Sequence, residues 1–359
     1  MELEQLWSQF QTDARSSYQL YSHGIETTRA AGVPKGKHWF EVVKQYFWAI
    51  LEKLSPARRI LLLVALVMII LPGGQWTWQT ASGGTESFGY DFHFLGGVLM
   101  FFLLILEVTD RVVMKRDLQI AREIQMWLLP ASPPAVPDLE IAFATRPANT
   151  VAGDYYDVFP RPATGSDKPS YLIAVADVAG KSIPAALLMA TFQASLKTLS
   201  ATRASLTELA NGMNEYACTN SQGGLRFTTA FLAEYDPANH ALSYINAGHN
   251  APMLRRASGT MERLQASSVP LGIQADAVYQ PGTVTLQSGD WLVIFTDGVV
   301  EAVNGRNEEY GESRLVTVVQ AGAATAPSKL LSRIMVDLDA FVGNTPQHDD
   351  VTCMLIKAT

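Results

Sequence analysis

An α+β fold is predicted for the greater part of this 359-residue chain, with antiparallel sheets and helices packed outside them. Three observations lead there. Short apolar runs of strand length predominate between residues 139 and 357. Turn sequences join them closely, DPANH at 236–240 and RASG at 256–259, and close hairpins favour antiparallel pairing over a doubly wound parallel sheet. Three stretches with helical patterns, 184–199, 206–218 and 327–341, complete the set. The length allows about two domains and a sizeable core. With 27 basic and 34 acidic residues, the net charge of −7 argues against a nucleic-acid partner. Cys218 and Cys353 lie far apart, and Cys353 falls inside an apolar strand pattern. No disulfide framework is expected, which fits a reducing compartment.

Taken in order, residues 1–59 form an N-terminal cytoplasmic segment without a cleavable signal peptide, amphipathic from 38 to 54. Apolar runs follow at 60–71 and 94–106. Each is shorter than the roughly 20 residues that cross a bilayer, but spans drawn at about 57–75 and 88–108 reach that length. Arg58 and Arg59 precede the first run, Arg111, Lys115 and Arg116 follow the second, and 72–93 contains no Lys or Arg. The positive-inside rule then places both ends in the cytoplasm. Trp76, Trp78 and Tyr90 lie where interfacial aromatics belong. A two-helix transmembrane hairpin at 60–108 is the expectation, with a buried hairpin of a soluble domain as its rival. Residues 109–137 read as a helical linker with Val113, Ile120, Ile124 and Trp127 on one stripe, stopped by Pro130. Such a helix can transmit a signal, act as a spacer, or pair with a second copy as a homodimer.

The remaining domain, 138–359, carries strand patterns at 139–145, 154–158, 171–178, 228–235, 241–246, 252–256, 261–264, 282–285, 291–296 and 351–357. Before the first of the three helices, Ser182 is placed as N-cap with Pro184 in the first turn. Asp154, Asp177, Asp297 and Asp349 each sit at a strand end or beside a turn. Any one alone reads as a turn residue. Several brought together repel, and need positive charge to ionise jointly. All-oxygen ligands suit Mg²⁺ or Mn²⁺. Two such ions about 4 Å apart can share a carboxylate and a water, lower that water's pKa and stabilise displacement at phosphorus. Other chemistries lack their residues. There is no HExxH or Cys/His cluster for zinc and no Walker-type loop, and Gly224 stands where a Cys-x5-Arg loop starting at Cys218 needs Arg. Asp337-Leu-Asp339 lies within a helical pattern and reads as a solvated face.

Ordered motifs carry a resemblance from Leu118 to Ile356. They are Ala121-Arg-Glu-Ile-Gln125 with Leu128-Leu129-Pro130, Val151-Ala-Gly-Asp154-Tyr-Tyr-Asp157, Asp177-Val-Ala-Gly-Lys-Ser-Ile-Pro184, Asn246-Ala-Gly-His249, Phe295-Thr-Asp-Gly298 and His348-Asp-Asp-Val-Thr352. The pattern resembles the metal-dependent protein phosphatase (PPM) superfamily, specifically its SpoIIE/RsbU-like branch of bacterial regulatory serine/threonine phosphatases. The resemblance implies two packed antiparallel sheets flanked by helices, an α-β-β-α sandwich. The hairpin is not part of the resemblance; together with it, the expected location is the bacterial inner membrane with the phosphatase domain facing the cytoplasm. The resemblance implies hydrolysis of phosphoserine or phosphothreonine on a regulatory protein, of the STAS-type anti-anti-sigma class, with two Mn²⁺ or Mg²⁺ ions. Carried over by motif, Asp177 bridges both ions, the Val178 carbonyl and Asp154 serve the first, and Asp297 and Asp349 serve the second. Catalysis is expected to depend on Asp177 and Asp297. Asp350 is the less certain half of its pair, Asp157 stands behind the ligands, and His249 makes a structural loop contact. Arg146 and Lys181 are candidates for holding substrate phosphate. Ala152 stands where a glycine pair is common in the family. The rival reading is a catalytically silent PPM-like signalling and binding module.

Overall fold

The computed structural model describes residues 44, 47–49, 51–79, 85–161, 169–202, 205–220 and 226–359. The amphipathic stretch expected at 38–54 lies mostly outside them. Two compact units result, 1–114 and 115–359.

In the first unit, α1 (Pro56–Ile70) leads into an antiparallel hairpin of β1 (Gly74–Gln79) and β2 (Thr85–Tyr90), and α2 (Phe92–Leu128) follows. Two expectations change here. Helix α1 has 15 residues, about 22 Å of axis, short of a hydrocarbon core of about 30 Å. It ends because Leu71 turns extended before Pro72 and Gly74 opens a strand, so residues 71–75 do not lengthen the span. The loop expected at 72–93 is largely the hairpin, with Gly74 opposite Tyr90. The second apolar run and the linker helix are one helix of 37 residues. Among the described residues, α2 alone is long and apolar enough to cross a membrane. Ile60, Val67 and Ile70 of α1 and Phe94, Phe101 and Ile105 of α2 are bare. Gly96 lets the two helices close up, since a Cβ there would lie 3.0 Å from the Ala65 carbonyl.

The second unit is a sandwich. Its elements are β3 (Leu139–Arg146), β4 (Tyr155–Arg161), β5 (Ser170–Val178), α3 (Ser182–Ser200), α4 (Leu206–Asn220), β6 (Thr228–Asp236), β7 (Ala241–Ala247), β8 (Met253–Arg255), β9 (Met261–Arg263), β10 (Gly282–Thr285), β11 (Trp291–Phe295), α5 (Asp297–Val300), α6 (Gly311–Gly322), α7 (Pro327–Val342) and β12 (Val351–Ala358). One sheet runs β10-β7-β6-β5-β4 and the other β3-β12-β11-β8-β9, with every named pair antiparallel.

Strand alternation explains the layers. In β5, Leu172, Ala174 and Ala176 pack with Met189, Leu196 and Leu209 of α3 and α4. Their neighbours Ile173 and Val175 pack with Leu292, Ile294, Met354 and Ile356 of the other sheet. That second sheet turns Trp291, Val293, Phe295 and Cys353 onto Leu315, Val319, Leu330 and Ile334 of α6 and α7. The α-β-β-α order follows, and the central strands are dry on both faces, which is why β5 and β11 read as continuous apolar runs.

Helices α5 and α6 were not expected. The Val-Thr-Val-Val run of α6 has weak intrinsic helix preference, and burial of Leu315, Val318 and Val319 decides its state. The N-cap expectation is also corrected. Lys181 occupies the cap position in extended conformation, no side-chain cap bond forms, and Ser182 is already the first helical residue with φ +63°.

Candidate metal centre

Parity along the strands assembles the site. Residue 177 follows Ile173 and Val175 on the face between the sheets, and 154 precedes Tyr156 and Val158 on the same face. In the facing sheet, 296 follows Leu292 and Ile294, and 350 and 352 precede Met354 and Ile356. Tyr155 pairs with Ala176 and Phe295 with Cys353. The start of β4, the end of β5, the end of β11 and the start of β12 therefore meet at one end of the sandwich.

Each acid is held differently. Asp154 accepts a hydrogen bond from the Thr296 hydroxyl at 2.9 Å, and Thr296 Oγ1 in turn accepts the Thr352 N–H at 3.0 Å. Burial and the nearby Asp177 push the Asp154 carboxyl well above the usual range, against hydrogen bonds from Thr352 and Thr296. Asp177 is pushed up to about 7, first by burial and then by Asp297, Asp349 and Asp350. Asp297 opens α5 and is raised by burial and Asp349, with the Gly298 N–H and Lys181 pulling the other way. Asp349 pairs with Lys181 Nζ at 3.0 Å, and the same ammonium donates to the His348 carbonyl at 2.6 Å.

Asp350 has a distinct task. Its oxygens accept the Ala148 N–H at 2.7 Å and the Gly153 N–H at 2.6 Å, tying β12 to the loop before β4. Burial still raises its carboxyl, against these backbone donors. The chain crossing behind it is tight. A Cβ at Gly298 would lie 2.1 Å from the Asp350 carbonyl oxygen, so only glycine fits. At Gly153 a Cβ would meet the Val178 carbonyl at 3.1 Å and Ala185 Cβ at 3.2 Å, which brings Val178 to the same place. Gly180, at φ +119°, turns the chain away from β5 into α3. Ala152 has no positive φ, so the departure from a glycine pair costs no backbone strain here.

Other candidates are engaged elsewhere. Asp157 pairs with Lys197 at 2.6 Å and accepts the Tyr155 hydroxyl at 3.0 Å, fastening β4 to α3. His249 is buried, its N–H fixed by Asn246 Oδ1 at 2.8 Å and its Nδ1 3.1 Å from Thr229 Oγ1, so it serves the loop. Arg146 pairs with Asp339, and Asp337 accepts the Tyr310 hydroxyl at 2.7 Å. Arg146 and Lys181 nevertheless line one cavity of 210 Å³ together with Glu301, His348 and Asp349. Sequence reasoning missed Thr296 and Glu301. Thr296 was legible only through its inward parity next to Asp297.

The donor set fits a hard divalent cation in type and charge. Burial and mutual repulsion raise Asp154, Asp177, Asp297 and Asp350 together, and Lys181 is the ammonium that meets the cluster. Among the described residues no three His, Cys, Asp or Glu side chains are drawn into one coordination sphere. Thr296, Lys181 and two backbone N–H groups hold three of the acids apart.

Comparison with known proteins places the chain. The profile of Stage II sporulation protein E (SpoIIE) matches residues 167–359, more than half of it. The chain belongs to this family, the SpoIIE/RsbU-like branch of the PPM phosphatases. It is 30% identical over 246 residues to the phosphoserine phosphatase RsbU of Bacillus subtilis, covering 68% of this chain and 70% of that protein. To protein IcfG of Synechocystis it is 27% identical over 281 residues, 71% of this chain but only 43% of the relative. Among solved structures, the SiaA-PP2C domain of Pseudomonas aeruginosa superposes with a TM-score of 0.60 at 20% identity, covering 69% of this chain and 98% of that domain. That likeness shows the fold.

Proposed function

We propose that this chain is a membrane-anchored, Mn²⁺- or Mg²⁺-dependent protein serine/threonine phosphatase acting on a phosphorylated regulator of the STAS class. The observation that carries the reading is the meeting of Asp154, Asp177, Asp297 and Asp349, from four strand ends, within the family's motifs. Asp177, Asp154 and the Val178 carbonyl would hold one ion, and Asp177, Asp297 and Asp349 the other. Bound ions supply positive charge at the phosphoryl group and acidify a water. The chain's own part is to place these oxygens at the end of a rigid sandwich and keep the core behind them dry. Lys181 and Arg146, on the rim of the neighbouring cavity, offer cationic donors to a substrate phosphate.

The bare apolar faces of α1 and α2 support the anchor, since a soluble core helix would bury them. The 15-residue α1 then needs a thinned bilayer or a partner helix beside it. Ile120, Ile124 and Trp127 are exposed on α2, which supports pairing with a second copy through the linker.

Hydrolysis of a generic phosphate ester by the full-length chain in detergent, with and without Mn²⁺, tests the enzymatic reading. Turnover that requires Mn²⁺ and disappears in Asp177→Ala and Asp297→Ala is the expected result. No turnover in the parent protein, with a phosphorylated STAS substrate also untouched, leaves the silent binding module standing. Extraction of the full chain from membranes by high salt alone would remove the anchor.

A further inference from the structure

Gln125 sits in the last turns of α2, and its neighbours Ile124, Met126 and Trp127 are exposed while it is buried. Its side-chain amide makes two bonds to a single residue. Nε2 donates to the Ala152 carbonyl at 2.7 Å, and Oε1 accepts the Ala152 N–H at 2.9 Å. Ala152 is buried and belongs to no strand, so the ladder offers these two backbone groups nothing. The next N–H, of Gly153, goes to Asp350, and the residue after that is Asp154, held by Thr296. Three consecutive residues thus have one anchor each, and two of those anchors lie at the ends of sheet strands. Gln125 is the anchor that comes from a helix entering the domain.

We propose that Gln125 is a positioning residue for the metal centre, setting the Ala152–Gly153 backbone and through it the placement of Asp154. This rests on reading Asp154 as a ligand of the first ion. A bidentate amide tolerates little displacement. Sliding the helix by one residue, about 1.5 Å, stretches or misaligns both bonds at once and loosens the loop. The position of the α2 C-terminus is thereby written into the affinity of the site for its ion. The sequence motif Ala121-Arg-Glu-Ile-Gln125 acquires a task that its helical pattern did not disclose.

The test uses the full-length chain in detergent with Gln125→Met, which keeps length and helix preference but neither hydrogen bond. Gln125→Asn, which keeps the amide one methylene short, is the second variant. Mn²⁺ binding is measured by calorimetry, amide exchange over 148–154 in metal-free protein, and hydrolysis of a phosphate ester against Mn²⁺ concentration. Expected are about tenfold weaker Mn²⁺ binding, about tenfold faster exchange at Ala152 and Gly153, and a raised Mn²⁺ requirement with a much smaller change in kcat at saturation. Unchanged binding and exchange in both variants overturn the proposal, as does a fall in kcat with unaltered Mn²⁺ affinity. Rapid exchange of the Ala152 amide in the metal-free parent protein overturns it without any variant. Mn²⁺ binding that is absent from the parent, or that survives Asp177→Ala, would instead sink the metal reading itself. Binding lost in Asp177→Ala but intact in Gln125→Met sinks only the role of Gln125.

Discussion

Asp290, at the turn before β11, and Asp154, just before β4, are each 1% exposed, and their surroundings differ in kind. Asp290 meets the Arg256 guanidinium at 2.9 Å and accepts the N–H groups of Ala257 at 2.8 Å and Gln287 at 3.0 Å. Asp157 is treated likewise by Lys197, and Glu234 by Arg161. Asp154 meets a hydroxyl and faces Asp177 and Asp350. Each of these structural carboxylates has its counter-charge in a side chain. The acids of the candidate site outnumber theirs, which leaves the cluster either to bind protons or to take a cation from outside the chain.

The strongest way to break that contrast is at its centre. Asp177→Asn is expected to lower Mn²⁺-dependent ester hydrolysis on the order of 10³-fold and to abolish the rise in Tm that Mn²⁺ gives the parent protein. Activity within tenfold of the parent would place the chemistry elsewhere. Gly298→Ala comes next. Its Cβ cannot coexist with the Asp350 carbonyl 2.1 Å away, so the Asp349–Asp350 segment must shift. A loss of roughly 2–3 kcal/mol in stability and a marked fall in Mn²⁺ affinity are expected from denaturation and calorimetry.

The comparison is sharpened by treating its two members alike. In metal-free protein at neutral pH, Asp290→Asn should cost roughly 2 kcal/mol, because it removes the charge-assisted bond to Arg256, which keeps Glu262, and weakens two backbone contacts. Asp154→Asn should be neutral or stabilising by about 1 kcal/mol, because it relieves repulsion. Equal losses in urea melts would show that both acids are structural.

His249 gives an effect confined to acid pH. Burial pushes its imidazole down to about 4, with the Phe295 backbone opposing, so the folded state keeps it neutral. The unfolded chain binds the proton near pH 6.5, and stability is fully present above that value and lost as pH falls through about 4. The difference is at most about 3 kcal/mol by linkage and about 1 kcal/mol near pH 5.5. His249→Gln should flatten this acid limb between pH 6.5 and 4, and an unchanged slope would assign the limb to other groups.

Much of this was legible before any coordinates. The ten strands of the sandwich fall where the strand patterns placed them, most clearly the central β5 and β11, which are dry on both faces and leave continuous apolar runs. The acids were legible as strand-end residues; parity then turns Asp154, Asp177 and Asp350 toward the gap between sheets, while Asp297 and Asp349 lie beyond the ends of β11 and β12. What escaped had a physical cause each time. The β-branched run of α6 hides a helix that only packing reveals. The hairpin at β1 and β2 was concealed by its proximity to apolar runs that invite a membrane span. Ser182 looked like a cap by residue type, but the turn at Gly180 puts it one position too far into α3. Gln125 gave no signal beyond its motif, since its partner is backbone 27 residues away.

The tie between Asp350 and the Ala148–Gly153 loop closes contacts 202 and 197 residues apart in sequence. The donors come from both sheets, Asp154 and Asp177 from one and Asp297 and Asp349 from the other, so the set is complete only when the sheets stand face to face. The donor oxygens therefore do not exist as a set in any half-folded chain. A newly made protein has no grip on its ions until the sandwich has shut. An ion held there would stabilise the closed form by mass action, and free divalent cation would then be a term in how long the finished domain survives.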